Sequence, residues 1–319
     1  MWPLIRILPV KTNFRFVAFA RLAAIISALA VIGSLAATLL PFQPPCAGLA
    51  CGIDFRGGTL IELSTPEPVD LAKVRRTLEA QNLGDVQVQA FGAPTSAMVR
   101  FQNPENVAPA QAVDQVQGAL RQALGEVSFD KVDVVGPKVS GELFRSGLLA
   151  LGLAIGLMLL YIWFRFELQF GVGAVVGLFH DVILTFGLIA VFQLEFSLTT
   201  IAAILTIIGY SMNDTVVVFD RLRENLRKYK RMPLGEVIDL SINETLSRTI
   251  ITGLTTVLAL TGLAVFGGPT LFGFSVIMIF GIVIGTYSSI YVAAPVILLW
   301  GVKRDEEEPQ PIKPMGATR

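Results

Sequence analysis

The chain has 319 residues, of which 53% are hydrophobic and 16% charged, against about 25% charged in a typical soluble domain. Lys plus Arg equal Asp plus Glu at 25 each, so the charge balance argues against a nucleic-acid partner and for a membrane protein. One histidine and two cysteines exclude a clustered His/Cys metal centre, and no metal site is expected.

The first apolar run, residues 22–40, follows Arg6, Lys11, Arg15 and Arg21 and is about long enough to cross a bilayer. Basic residues ahead of a first span place residues 1–21 in the cytoplasm. The run is longer than a usual signal-peptide core and further spans follow, so an uncleaved helix is expected. Cys46 and Cys51 come next; a disulfide between them is open on sequence grounds.

Residues 41–146 read as a soluble extracytoplasmic domain. Strand patterns at 59–64, 85–91, 97–101 and 127–135 alternate with helical patterns at 70–81 and 107–124. The order β-α-β-β-α-β is the ferredoxin-like arrangement. Gly57 and Gly58 at one end and Gly136 and Pro137 at the other are candidate hinges between this domain and the membrane part.

Residues 147–300 then carry five more apolar runs, at 147–164, 168–192, 196–219, 249–266 and 271–300. Arg165 follows the first of these, six Lys or Arg lie between residues 221 and 231, and Lys303 and Arg304 follow the last. The short connections 193–195 and 267–270 contain none, so both termini, the loop 220–248 and the tail 301–319 are expected in the cytoplasm. The fold class is therefore an α-helical polytopic membrane protein of six transmembrane helices with one α+β ferredoxin-like outer domain. G-x-x-x-G at 152/156, 173/177 and 281/285 points to close helix packing.

The polar residues within these runs are the candidate site. Eighteen uncharged residues, 196–213, lead into Asp214, and five more separate it from Asp220. A carboxylate there costs roughly 2.5–3.5 kcal/mol on insertion scales and by default marks an ion or proton pathway; tying two helices together is the plainer role. Helical spacing puts Tyr210, Ser211 and Asp214 on one face, with Asn213 beside them. Arg248 enters from the cytoplasmic end of the fifth run with Thr252 on the same face, within expected reach of Asp214. Pairing would favour ionised Asp214 and separation would favour proton uptake. His180 and Asp181 sit in the third run and point about 100° apart, which predicts that they serve different surfaces; Asp181 shares a small-residue face with Gly177 and Thr185. A structural hydrogen-bonding role and a proton-carrying role are both open for Asp181.

Five stretches resemble motifs of the SecF family of the bacterial Sec protein-export machinery: GIDFRGGT (52–59), VGPKVSGEL (135–143), HDV (180–182), GYSMNDTVVVFDRLREN (209–225) and NETLSRTIITGLTT (243–256). The resemblance covers almost the whole chain. It implies a member of the resistance-nodulation-division superfamily that works with SecD beside SecYEG and YajC in the inner membrane. Such a subunit uses the proton-motive force to promote late export of unfolded polypeptides, with no cofactor but protons and no enzymatic activity. Asp214 and Arg248 match the family's functionally paired residues, and Asp54 and Phe55 lie in the motif that opens the outer domain. The Cys pair and the acidic segment 305–308 stand outside the family pattern. The competing readings are a structural scaffold of the translocon without proton coupling and an intramembrane protease built on Asp181 and Asp214.

Overall fold

The computed structural model describes residues 12–40, 42, 46–81, 83, 86–103 and 107–301. Most of the stretches 1–21 and 301–319, with the acidic segment 305–308, lie outside the described residues. Among the described residues, six helices are long and apolar enough to span a membrane: α1 (Phe16–Leu39), α5 (Pro137–Arg165), α6 (Leu168–Val191), α7 (Leu198–Lys228), α8 (Leu234–Phe266) and α9 (Gly268–Ser288), which continues through a π turn (Ser289–Ala293) into α10 (Ala294–Trp300).

α1 begins six residues before the apolar run that announces it, because its free N–H groups find partners far along the chain. Asp239 accepts from Val17 N at 2.9 Å and Asn243 from Phe14 N at 2.9 Å, so α8 caps α1 in place of a local cap residue. One face of α1 buries Ala20, Ala23 and Ser27, while Phe19, Leu22, Ile25, Leu29 and Ile32 stay exposed, as expected of a helix meeting lipid.

The stretch expected as a long cytoplasmic loop, 220–248, is mostly helix. α7 runs on to Lys228, a short turn follows, and α8 starts at Leu234 behind Pro233 and passes Arg248 without a break. Polar side chains hold this extension together: Arg221 Nε bonds Glu244 at 2.7 Å, and Asn225 donates to Ser241 at 3.0 Å and to Glu244 at 2.7 Å. Likewise α5 starts at Pro137 rather than at residue 147, with Pro in the first turn where its missing N–H costs nothing.

The outer domain has the expected order. Strands β2 (Gly58–Ser64), β3 (Val86–Phe91), β4 (Ala93–Phe101) and β5 (Ser128–Val135) form an antiparallel sheet in the order β3-β4-β2-β5, with α3 (Leu71–Glu79) and α4 (Pro109–Leu124) on one face. Ile61, Leu63, Val99 and Phe101 of the sheet meet Val74, Leu78, Val116 and Leu120 of the helices, all nearly solvent-free. Asp70, read from its sequence as the first helical residue, is the cap of α3 and accepts from Ala72 N and Lys73 N at 3.0 Å. β4 starts four residues earlier than its hydrophobic alternation suggests. Gly92, at φ +76°, turns the chain so tightly that Phe91 faces Ala93, and pairing extends through the weak strand formers Pro94 and Ser96.

The opposite sheet face carries Leu60 and Met98 against Ile53, then a charged patch. Burial pushes the Glu62 carboxyl above its usual range, Lys131 pulls it back, and Asp133, Asp130 and Glu195 add to the rise. A hydrogen bond to Asp133 holds the Lys131 ammonium above its usual value.

The domain is seated on the bundle by the segment after α1. Cys46 and Cys51 form a disulfide with Cα atoms 5.8 Å apart. β1 (Ala50–Cys51) pairs in parallel with β6 (Glu195–Phe196), the connection between α6 and α7. Arg100 of β4 pairs with Glu195 at 2.9 Å and donates to Cys51 O at 3.3 Å.

Two of the three G-x-x-x-G pairs act as expected. A Cβ on Gly173 would lie 2.6 Å from Ala293 O, and one on Gly285 would lie 2.9 Å from Ser211 Cβ; Gly281 meets Ile207 in the same way. Gly152 and Gly156 face open space.

Candidate functional site

Asp214 sits on α7 and is 3% exposed. Its Oδ2 accepts from Thr286 Oγ1 of α9 at 3.5 Å, a long contact. A carboxylate offers about four lone-pair sites, so most of its hydrogen-bonding capacity is unmet by these helices. Two further hydroxyls nearby are buried without a partner, Tyr210 Oη on α7 and Thr249 Oγ1 on α8. The three helices meet at Gly253, where an added Cβ would lie 3.9 Å from both Tyr210 Oη and Thr286 Oγ1. The result is a polar, hydroxyl-lined junction around a nearly buried acid.

Arg248 is exposed on α8, and among the described residues no ion pair joins it to Asp214. Thr252 does not reach Asp214; it is exposed and bonds back to Arg248 O and Thr249 O at 3.0 Å. Asn213 is exposed on the other side of α7, in a groove of about 430 Å³ between α5 and α7 lined by Leu157, Met158, Tyr161, Met212 and Val216.

Ser211 turns away from Asp214. Its hydroxyl donates to Asp181 Oδ2 of α6, and Ser288 Oγ of α9 donates to the same oxygen at 2.7 Å. Asp181 Oδ1 lies 2.9 Å from His180 Nδ1. The expectation that His180 and Asp181 serve different surfaces is thereby corrected: both side chains bend towards the same interior, and their 100° offset is taken up by the side-chain torsions. His180 Nε2 continues to Ser27 Oγ of α1 at 3.2 Å, and Ser27 to Tyr287 Oη at 3.0 Å. Thr185, on the same face, bonds back to Asp181 O at 2.7 Å. Among the described residues, Asp181 and Asp214 share no hydrogen-bond partner.

The outer-domain motif is a docking element. Asp54 Oδ2 accepts from Leu198 N, the first residue of α7, at 2.9 Å, a carboxylate at a helix N-terminus. Phe55 meets Phe144 of α5 and Phe196 of β6 at ring distances of 5.4 and 5.2 Å. Gly57 and Gly58 have φ of +74° and +112°, and a Cβ on Gly58 would lie 2.6 Å from Phe101 O. They are packed positions that only glycine fits. Gly136, by contrast, has open space around it and Pro137 starts α5.

Sequence reasoning missed Thr286, Ser288, Ser27, Tyr287, Arg100 and Glu195. The run Thr286-Tyr287-Ser288-Ser289 inside an apolar span was the available signal for the first of these, and it leads into the π turn Ser289–Ala293, a distortion frequent at functional sites.

Six helices fit to span a membrane and a ferredoxin-like domain seated on them define a multi-pass membrane protein with a nearly buried acid in its interior. Residues 115–303 match the family described as protein export membrane protein SecD/SecF, C-terminal. The chain is 48% identical over 309 residues to the protein translocase subunit SecF of Cereibacter sphaeroides, covering 94% of this chain and 93% of that one. It is 45% identical to the subunit of the same name from Rhodobacter capsulatus, covering 96% and 95%. The crystal structure of SecDF from Thermus thermophilus, a translocon-associated membrane protein, superposes with a TM-score of 0.79 at 33% identity. The match covers 92% of this chain but only 39% of that one. The chain belongs to the SecF family of protein translocase subunits.

Proposed function

We propose that this subunit works with SecD in the inner membrane and uses the proton-motive force to promote late steps in the export of unfolded polypeptides. Asp214 is the proton carrier and Arg248 its functional partner. The observation that carries this reading is Asp214 itself: an acid 3% exposed inside a spanning helix, with one 3.5 Å hydrogen bond. Few good donors leave its ionised form poorly stabilised, and such a carboxylate is poised to take and release a proton. SecYEG and YajC are the neighbours, and an exported chain the substrate, in this proposal. No cofactor other than the proton is invoked and no bond is broken, so the protein is not an enzyme in this reading.

A partner in the membrane is supported by the exposed Asn213 in the groove between α5 and α7, since a polar side chain facing lipid is costly, and by the SecDF neighbour, of whose chain the match covers only 39%. A cysteine at Asn213 is expected to form a disulfide with a cysteine in a spanning helix of SecD. Failure of every SecD helix to cross-link there would remove this surface as the interface.

Both termini face the cytoplasm in this account. A membrane-impermeant thiol reagent is expected to label a cysteine at Gln122 from outside and to leave one at Lys228 untouched until the membrane is broken; labelling of position 228 from outside would overturn the orientation.

The drive is modest. One charge crossing 100 mV supplies about 2.3 kcal/mol, enough to bias a two-state equilibrium about fiftyfold. That suits holding and releasing an unfolded chain outside, with the outer domain changing its seat on the bundle. The hinge for such a change lies at Gly136 and Pro137, and the seat released lies at Gly57, Gly58 and the Arg100–Glu195 pair.

A further inference from the structure

The direction of each hydrogen bond around His180 is fixed by counting protons. Tyr287 Oη donates its single proton to Ala23 O at 3.1 Å, a carbonyl that can only accept. The contact of 3.0 Å between Tyr287 and Ser27 must therefore use the Ser27 proton. Ser27, having given that proton away, can only accept from His180 Nε2 at 3.2 Å. Nε2 thus carries hydrogen. On the other side of the ring, Nδ1 faces Asp181 Oδ1 at 2.9 Å, and a bare Nδ1 opposite an ionised carboxylate would set two acceptors against each other. One more proton must lie between them, on Nδ1 or on Oδ1. Either placement leaves Oδ2 free to accept from Ser211 and Ser288.

We infer that His180 and Asp181 together hold one exchangeable proton inside the membrane, and that this proton closes a clamp across α1, α6, α7 and α9. The pair is 5% and 1% exposed. The groups facing it are the Ser27 hydroxyl of α1, the Ser211 hydroxyl of α7, and the Ser288 hydroxyl and Tyr287 phenol of α9, whose ring stacks on His180 at 6.0 Å. Beyond them Asp214 lies on the next turn of α7, with Arg248 of α8 outside it. The clamp bears on that acid. Ser211 is three residues before Asp214, and Ser288 is two residues after Thr286, its hydrogen-bond donor. Removing the proton sets two acceptors face to face at 2.9 Å, and the repulsion swings the Asp181 carboxylate against its bonds to Ser211 of α7 and Ser288 of α9, so His180 and Asp181 are positioning residues for Asp214. This last step rests on the proposed role of Asp214; the proton count does not.

Because His180 is the one histidine of the chain, the full-length protein labelled with nitrogen-15 histidine and held in lipid bilayers with SecD gives a single imidazole spectrum. The expected wild-type result at neutral pH is a protonated Nε2. Ser27→Ala removes its acceptor and is expected to release that fixed tautomer. Asp181→Asn replaces the shared proton with an amide hydrogen, and its Nδ1 signal is expected to shift away from the wild-type position. A bare Nε2 in the wild type would overturn the inference without recourse to any variant, and so would an Nδ1 signal identical in wild type and Asp181→Asn. Neither result depends on whether Asp214 carries protons in export.

Discussion

Asp214→Asn is expected to leave the protein inserted and bound to SecD while reducing proton-dependent stimulation of export to the level of membranes lacking the subunit. The amide is nearly isosteric, and its oxygen can still accept from Thr286 at the present 3.5 Å. What it lacks is the ability to change charge. A structural role would tolerate the change, since Asn removes a charge that is expensive inside a bilayer by roughly 2.5–3.5 kcal/mol on insertion scales. A purely structural Asp214 therefore predicts equal or greater stability together with normal export. The two roles separate on measurement of export of a secreted precursor beside the amount of assembled complex.

The second large effect is expected at the seat of the outer domain. Arg100 is the cation of that seat, joined to Glu195 at 2.9 Å and to Cys51 O at 3.3 Å. Arg100→Glu places a carboxylate against Glu195 in a patch that already holds Glu62, Asp130 and Asp133. Loss of the charged hydrogen bond to Cys51 O costs on the order of 1–3 kcal/mol, and replacing the ion pair with Glu195 by repulsion adds to it. The domain is expected to leave its seat, with faster protease cutting between α1 and β2 and loss of most of the export stimulation. Glu195→Arg in the same chain restores an opposite-charge pair and is expected to recover most of both. Failure of the double variant to recover either would show that Arg100 acts through something other than Glu195.

Much of this architecture is legible in the sequence because the bilayer imposes a coarse rule. A run of about 20 apolar residues has few alternatives to a spanning helix, and the 2.0 and 3.6 periodicities of the outer domain have few alternatives to the β-α-β-β-α-β order. Helix ends were less legible. α1 starts at Phe16 because Asp239 and Asn243, over 220 residues away in sequence, cap it, and no local pattern encodes a cap supplied by another helix. The charged stretch after Phe219 looks like a loop until Arg221, Glu244, Asn225 and Ser241 are seen to satisfy one another.

In the site, Asp214 was legible because a lone carboxylate in an apolar run is conspicuous. Its surroundings were not. Spacing along α7 assigns Ser211 to the Asp214 face, whereas the close approach of α9 to α7 at Gly285 leaves its hydroxyl to Asp181 of α6. Thr252 was placed by the same spacing, and its hydroxyl is taken by its own helix backbone. The 100° separation of His180 and Asp181 is correct for their Cβ directions but does not limit where longer side chains end.

The central claim is that proton movement through the Asp214 junction drives the contribution of this subunit to export. Membrane vesicles that contain SecYEG and SecD, prepared with and without this chain, isolate that contribution as the difference in export of a precursor at saturating ATP. Measured with the proton gradient intact and then collapsed by an uncoupler, the difference is expected to be present in the first state and absent in the second. An increment that survives collapse of the gradient would contradict proton coupling and leave the subunit as a scaffold of the translocon.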